Sequence, residues 1–192
     1  MVVLELVLAH LLGDFVFQSN DLIHRKYKSW LGVAEHVCII TLFTVLFLFP
    51  FWNQIYMWQT ASLIFGVHFV QDLLKIKYDI HFNAQKKSTI PFFLDQIFHF
   101  SLIFALAPGF NSLAPLPLPG WISNLYFSQL LTTYLIGIIL FSFTYDITLY
   151  QFLRQKQKKT MEYKPDYVGM RKRLIIYSSV FVLYLLVHSS LM

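Results

Sequence analysis

Six stretches of this chain are apolar and long enough to cross a lipid bilayer. About 20 apolar residues in a helix span the hydrocarbon layer, and the sequence is 57% hydrophobic with only 13% charged residues. A soluble domain carries about a quarter charged residues. The sequence therefore predicts a single all-α transmembrane domain over residues 1–192, built as one bundle of about six helices. The predicted spans are Val2–Gln18, Trp30–Phe49, Ile55–Leu74, Ile90–Ala107, Phe127–Tyr150 and Leu174–Leu191.

The fifteen lysines and arginines lie in alternate connections between these spans. Three follow the first span, four follow the third, and eight lie between Arg154 and Arg173, whereas the second and fourth connections have none. Basic residues concentrate on the cytoplasmic side of membrane proteins. The pattern predicts a multi-pass protein of the cytoplasmic membrane with both termini outside, and it accounts for the net charge of +5 without any nucleic-acid partner. The most basic connection, from Arg154 to Arg173, would lie against anionic lipid headgroups.

The first span lacks the basic start and the small-residue cleavage site of a signal peptide, so we expect it to be retained. Cys38 is the only cysteine, which excludes a disulfide within the chain and cysteine-based metal sites.

Histidines and aspartates recur four residues apart inside the apolar segments. The pairs are His10/Asp14, His68/Asp72 and, in reverse order, Asp95/His99. Residues four apart share a helix face, and ionisable groups in hydrocarbon are costly unless paired, so they mark functional sites. Imidazole and carboxylate ligands suit Zn, Mn or Fe(II). The spacing therefore indicates a metal site inside the membrane.

The predicted topology places these pairs at one depth. At 1.5 Å per residue, they share the inner third of the bilayer with Glu35 and His36 of the second span and Asp146 of the fifth. We expect a centre open to the cytoplasm that holds one divalent ion or two. The expected ligands are His10, Asp14, His36, His68, Asp72, Asp95 and His99.

Two acids remain as expected catalytic residues. Glu35 and Asp146 are candidates for the general base, and His36 and Asp146 could also complete the centre or shuttle protons. Neighbouring residues on a helix point about 100° apart, so Glu35 can turn away from His36. Gln96 and other glutamines flank the pairs and could hydrogen-bond the ligands. Gly13 and Gly66, each close to a pair, could permit close helix approach.

A weak internal repeat accompanies the pairs. The segments from His10 to Asp14 and from His68 to Asp72 occupy matching places on the first and third spans. Each is followed by a helix with acid and histidine near its start. The pattern predicts two similar helical hairpins whose motifs face each other.

The chemistry favours a metal-dependent hydrolase that acts on a lipid-linked phosphate or ester from the cytoplasmic side, with a metal-activated water as nucleophile. Three alternatives stay open: a proton- or metal-ion-coupled transporter, a haem-binding protein, and a non-catalytic membrane subunit whose polar network sets assembly. A homo-oligomer is compatible with each of them.

The segments AHLLGDFVFQ, HFVQD and LDQIFH resemble a family of small bacterial integral-membrane proteins of unknown function. That family carries an HLLGDFxxQ signature and a DQxxH signature, matched here from His10 to His99 over about the first 100 residues. The resemblance implies a bacterial inner-membrane protein. The chain is more distantly similar to membrane-bound metal-dependent hydrolases of the SOS-induced type, which implies a hydrolase.

Overall fold

The computed structural model describes residues 2–82, 88–157 and 163–189 of the chain. Within these ranges the protein is all-helical, without a strand, which confirms the predicted all-α class. Part of the predicted charge pattern, such as Lys86 and Lys87, and the end of the sixth predicted span lie outside the described residues.

Nine α-helices, named α1 to α9, form the described part of the chain. They are Val2–Leu11, Asn20–Lys28, Trp30–Phe47, Ile55–Phe82, Ile90–Leu106, Gly120–Tyr126, Gln129–Ile139, Tyr145–Gln157 and Tyr167–Ser189. Two π-helical turns, Leu12–Val16 and Leu140–Thr144, continue α1 and join α7 to α8, and 3₁₀ turns follow α3 and α5.

Three helical stretches are long and apolar enough to cross a membrane. They are Trp30–Phe47, Ile90–Ser112 and Gln129–Gln157, and the pair Val2–Val16 with Asn20–Lys28, bent by 88°, is a fourth if it counts as one span. Large apolar side chains such as Trp30 and Ile55 are exposed on the bundle surface, as lipid contact requires. Predicted spans three and six lie on α4 and α9, which do not pass this test within the described residues.

Helix α2 was expected to be a basic loop, and the structure corrects this. Ser19 caps it by accepting a hydrogen bond from the Leu22 backbone, and the helix folds back along α3. Gly32 makes this possible, because a Cβ at that position would lie 2.3 Å from the backbone of Arg25. The basic residues of this connection are therefore placed by a helix packed against the bundle.

Helix α4 is longer than the predicted span and runs eight residues past Leu74 to Phe82. The polar side chains of this extension bind neighbouring helices. Lys75 lies 2.7 Å from Asp95 on α5, and the Tyr27 hydroxyl of α2 donates to Asp79 at 2.7 Å. The helix therefore continues beyond the apolar stretch, because these polar residues meet partners within the bundle.

The bundle has an apolar end and a polar end. The apolar end joins the start of α1, the end of α3, the start of α4 and the end of α5 around buried residues that include Leu6, Ile40, Met57, Ile64 and Ile103. Because α3 and α5 run opposite to α1 and α4, the other end brings together the end of α1 and the starts of α3 and α5. That polar end contains the histidines and aspartates.

Candidate metal centre

The polar end of the bundle contains a group formed by Asp14, His36 and His68. His36 Nε2 lies 3.1 Å and His68 Nε2 3.7 Å from Asp14 Oδ1. One ligand atom from each residue lies within 4.8 Å of the others, and each residue is at most 9% exposed. This spacing can hold one metal ion.

A second group consists of His68, Asp72 and His99, whose ligand atoms also lie within 4.8 Å of one another. The rings of His68 and His99 stack with centroids 3.7 Å apart. His68 thus belongs to both groups, and the two groups form one continuous cluster drawn from α1, α3, α4 and α5. We call these five residues, Asp14, His36, His68, Asp72 and His99, the histidine–aspartate cluster.

Several polar atoms of the cluster are buried without a hydrogen-bond partner. They are Asp14 Oδ1, His68 Nε2 and both ring nitrogens of His36 and of His99, whereas Asp72 Oδ2 lies 2.7 Å from Lys26 Nζ. Buried polar groups are almost always hydrogen-bonded, so such atoms call for a ligand. The histidine nitrogens and aspartate oxygens of the cluster lie 3.1–3.9 Å apart without hydrogen-bond geometry. Ligand atoms that surround one metal ion have a similar arrangement.

Local backbone geometry positions Asp14. It lies in the π-helical turn Leu12–Val16, and such turns are frequent at functional sites. A Cβ on Gly13 would lie 2.3 Å from the Ile40 side chain, so glycine is needed where α1 meets α3. The predicted role of Gly13 in close helix approach is confirmed. Gly66 has no neighbour within 4 Å of such a Cβ, and its predicted role is wrong.

His10 and Asp95, both expected as ligands, lie beside the cluster and are in neither ligand group. His10 Nε2 is 3.2 Å from Gln96 Oε1, and the Gln96 amide donates to Asp14 Oδ2 at 2.8 Å. Asp95 Oδ1 lies 3.2 Å from His99 Nε2. Groups in contact with metal ligands commonly fix their orientation, and this is the role that the geometry gives to both residues.

Two lysines belong to the site that sequence reasoning had assigned to loops. Lys26 Nζ lies 2.7 Å from Asp72 Oδ2, with both side chains buried, and Lys75 Nζ lies 2.7 Å from Asp95 Oδ2. The lysines offset part of the charge of three buried carboxylates. One signal was available for Lys75, because it lies seven residues after His68 and so on the same helix face. Lys26 depends on the fold-back of α2, which hydropathy does not predict.

A cavity of about 590 Å³ opens onto the cluster. Asp14, Asp72 and Asp95 line its floor with Lys26 and Lys75, and residues of α2 and α8 and Tyr163 line its walls. Ligand-binding pockets typically enclose about 300–1,000 Å³. On the apolar side of the histidines, between Leu6 and Ile103, there is a space of only about 10 Å³, roughly one water molecule.

The structure does not bring Glu35 to the cluster. Its carboxylate lies on the exposed side of α3, where Arg25 Nε and Nη2 donate to it at 2.8 and 2.7 Å. His36, the next residue, points inward and is fully buried. The 100° rotation between neighbours explains why only His36 joins the site. The expected catalytic role of Glu35 therefore has no geometric basis here.

Asp146 is buried but belongs to a separate polar group near the C-terminal helices. The Tyr163 hydroxyl donates to Asp146 Oδ2 at 2.7 Å, the Asp166 backbone N–H donates to the same atom at 3.2 Å, and Arg173 donates to Oδ1 at 3.3 Å. Burial, together with the hydrogen bond to Asp146, raises the pKa of Tyr163, so its hydroxyl remains a donor. Asp146 therefore anchors the Tyr163–Asp166 segment and contacts no residue of the cluster in any hydrogen bond or ion pair of the described chain.

Comparison with known proteins shows that most residues of this site lie in a region shared with one protein family. The family model for proteins of unknown function called DUF3307 matches residues 2–115, which include all five residues of the cluster with His10, Lys26, Lys75, Asp95 and Gln96. No curated protein and no solved structure matches the chain. Because the family model covers more than half of the sequence, the chain belongs to the DUF3307 family of proteins of unknown function.

Proposed function

We propose that this protein is a membrane-embedded, metal-dependent hydrolase acting on a lipid-linked phosphate or ester. One observation carries the proposal. The histidine–aspartate cluster contains two overlapping groups, in each of which the ligand atoms lie within 4.8 Å of one another, and several of its atoms are buried without a hydrogen-bond partner beside a cavity large enough for a headgroup. A purely structural network would satisfy its own polar atoms.

The types of ligand atom limit which metal ion can bind. Three imidazoles and two carboxylates without thiolate suit Zn, Mn or Fe(II), and two overlapping ligand groups that share His68 fit one ion or a pair. Lys26 and Lys75 leave the three carboxylates with one uncompensated negative charge, which a divalent cation would more than offset. The ion and the lysines together would make the cavity floor electropositive and suited to an anionic substrate.

In the reaction, a bound ion would supply a water whose pKa is lowered to roughly 7. Asp14, Asp72 and Asp95 are the carboxylates that line the cavity, and the first two belong to the ligand groups. Asp95 is therefore the residue we assign to proton transfer, in place of Glu35. Lys75 Nζ lies 2.7 Å from one of its carboxylate oxygens and His99 Nε2 3.2 Å from the other, and these contacts fix the carboxylate at the cavity floor.

We further propose the topology predicted from the charge pattern: six spans in the bacterial inner membrane, both termini outside, and the cavity facing the cytoplasm. Lys26 and Lys28 of α2 and Arg154 near the end of α8 line the cavity, in agreement with that orientation. The two halves of the proposed repeat supply Asp14 with His36 and His68/Asp72 with His99 to one cluster, which supports facing hairpins.

The apolar end of the bundle favours hydrolysis over transport. A transporter needs a polar path on both sides of its site. Beyond His10, His68 and His99, the small space is lined by apolar residues and Thr44 and is about one water in size. The buried Glu5 on that side accepts a hydrogen bond from Thr132 at 2.9 Å and is therefore paired within the bundle. A site closed on one side and open on the other fits an enzyme that admits substrate from one leaflet.

Metal analysis tests the proposal. We expect the detergent-purified protein, prepared without chelator, to contain one or two equivalents of Zn, Mn or Fe. His68→Ala removes the residue common to both ligand groups and should abolish that metal content. His81→Ala, an exposed histidine on the same helix, is the matched control and should keep it. Wild-type protein without stoichiometric metal, or equal metal in His68→Ala, would rule the proposal out.

A further inference from the structure

The cavity reaches beyond the family-matched residues into the C-terminal part of the chain. Its far wall consists of Ile147, Tyr150, Gln151 and Arg154 from α8 together with Tyr163. All five follow residue 115, where the family match ends. The floor is thus built from residues of the family region, while the wall that faces a ligand comes from outside it.

This wall is fixed in place by two hydrogen bonds. Asn20 of α2 donates from its side-chain amide to the Tyr163 carbonyl at 2.8 Å, and the Tyr163 hydroxyl donates to the buried Asp146 at 2.7 Å. Tyr163 therefore bridges α2 and α8 across the cavity. A wall held at both sides can present side chains to a ligand in a defined geometry.

Arg154 is the charged residue of the wall. Its guanidinium lies 5.7 Å from the centre of the Tyr150 ring, and its Nε is buried without a hydrogen-bond partner. Other arginines behave differently: Arg25 pairs with Glu35 and Arg173 with Asp146. In the described part of the chain no carboxylate pairs with Arg154, so its donors are available to a ligand.

The charged residues around the cavity indicate that its ligand carries a negative charge. Lys26 and Lys75 on the floor are each paired with an aspartate, whereas Arg154 and Lys28 at the wall have no such pair among the described residues. Gln151, three residues before Arg154 on the same helix, also lines the cavity, and its Oε1 is buried without a partner. An arginine with free donors next to a free acceptor suits a group with anionic oxygens and one hydroxyl.

We propose that Arg154 binds the phosphate of a phosphomonoester headgroup, with Gln151 accepting its remaining hydroxyl, and so selects phosphorylated lipids as ligands of this cavity. The planar guanidinium can donate two parallel hydrogen bonds to phosphate oxygens, which a lysine cannot do. The substrate class rests on the proposed hydrolase function, but the binding site stands on the cavity geometry alone.

Binding measurements on the full-length protein in nanodiscs test this assignment. The probes are dioleoyl phosphatidic acid, its neutral counterpart dioleoylglycerol, and soluble glycerol 3-phosphate as competitor. We expect phosphatidic acid to bind at least about tenfold more tightly than dioleoylglycerol, because each charge-assisted hydrogen bond contributes about tenfold in affinity. Competition by glycerol 3-phosphate as strong as that of the lipid supports the phosphate assignment and identifies a soluble ester as the source.

The variants locate the effect. R154Q should weaken phosphatidic acid binding by about tenfold, R154K should weaken it less, and K156Q, an exposed lysine on the same helix, should leave it unchanged. If R154Q does not fold, K28Q should give a smaller loss in the same direction. Equal affinity in R154Q and K156Q, or equal binding of dioleoylglycerol and phosphatidic acid, overturns the proposal.

Metal content separates this inference from the proposed function. Protein without metal that still loses phosphatidic acid binding in R154Q retains the phosphate site and refutes only the hydrolase. Metal-loaded protein whose phosphatidic acid affinity is the same in R154Q as in wild type refutes only the role of Arg154.

Discussion

Two groups of buried aspartates in this protein look alike in sequence but differ in their surroundings. Asp146 accepts from a tyrosine hydroxyl, a backbone N–H and an arginine, so its two oxygens are satisfied within the chain. Asp14 shares its cluster with His36, whose two ring nitrogens have no hydrogen-bond partner, and Asp14 Oδ1 has none either. The polar atoms of the first group are paired with one another, whereas several in the second have no partner among the described residues.

The difference shows that a carboxylate within an apolar segment does not by itself indicate a binding site. Burial is nearly the same in the two cases, with Asp14 9% and Asp146 6% exposed. What separates them is hydrogen-bond satisfaction, because an unsatisfied buried polar atom costs free energy that a bound ligand can recover. Satisfaction depends on contacts between distant residues and cannot be read from spacing along one helix.

Replacing the aspartate of each group by asparagine should give the largest difference between the two groups. Asp14→Asn replaces a ligand carboxylate by an amide and should lower metal affinity by more than the roughly 10–100-fold typical of residues that only orient ligands. Metal content after gel filtration, measured by mass spectrometry of the eluted protein, checks this. Unchanged metal in Asp14→Asn would remove the residue from the centre.

Asp146→Asn is the matched control. It should keep its metal but lose about 1.5–3 kcal/mol of the free energy of unfolding, since hydrogen bonds to a charged group are lost. Thermal unfolding in detergent measures this loss. A loss of metal in Asp146→Asn would mean that the two groups communicate.

Much of the fold could be predicted from the sequence because hydropathy and charge act locally. The starts of α3, α4 and α5 were placed at Trp30, Ile55 and Ile90 as the structure has them. The fold-back of α2 was missed, because it depends on contact between Gly32 and the backbone of Arg25. A close approach between two helices leaves no trace in hydropathy.

The site was predictable to the extent that helical spacing determines it. Residues four apart on one face, such as His68 and Asp72, did reach a common cluster. The division between ligand groups and supporting residues was not predictable, because His10 and Asp95 have the same spacing as the others. Lys26 was missed for a related reason, since a basic residue beside an apolar span normally indicates only orientation.

Substitution of Gly13, where α1 contacts α3, should have an intermediate effect on metal binding. Gly13→Ala places a Cβ 2.3 Å from Ile40, which pushes α1 away from α3 and Asp14 away from His36. We expect metal affinity to fall about tenfold, as for a displaced supporting residue, and stability to fall by about 1–3 kcal/mol from overpacking. Metal titration and thermal unfolding measure the two effects.

Gly66→Ala is the control for this change, because a Cβ there has no neighbour within 4 Å. It should keep full metal affinity and gain up to about 1 kcal/mol, since alanine is the better helix former. If both variants lost metal equally, the loss would come from replacing a helical glycine by alanine as such and not from a change in the distance between α1 and α3.

The smallest expected effect concerns Glu35, which lies next to the buried His36 in the chain but outside the site. Glu35→Gln breaks the exposed pair with Arg25, and exposed ion pairs contribute little to stability. Metal content and hydrolysis of a lipid phosphate should both equal those of the wild type. A drop in turnover with unchanged metal would restore Glu35 as a catalytic base and would require α3 to rotate by about 100°. Such a rotation would also withdraw His36 from Asp14, so a true base at position 35 and a ligand at position 36 cannot coexist in one orientation of this helix.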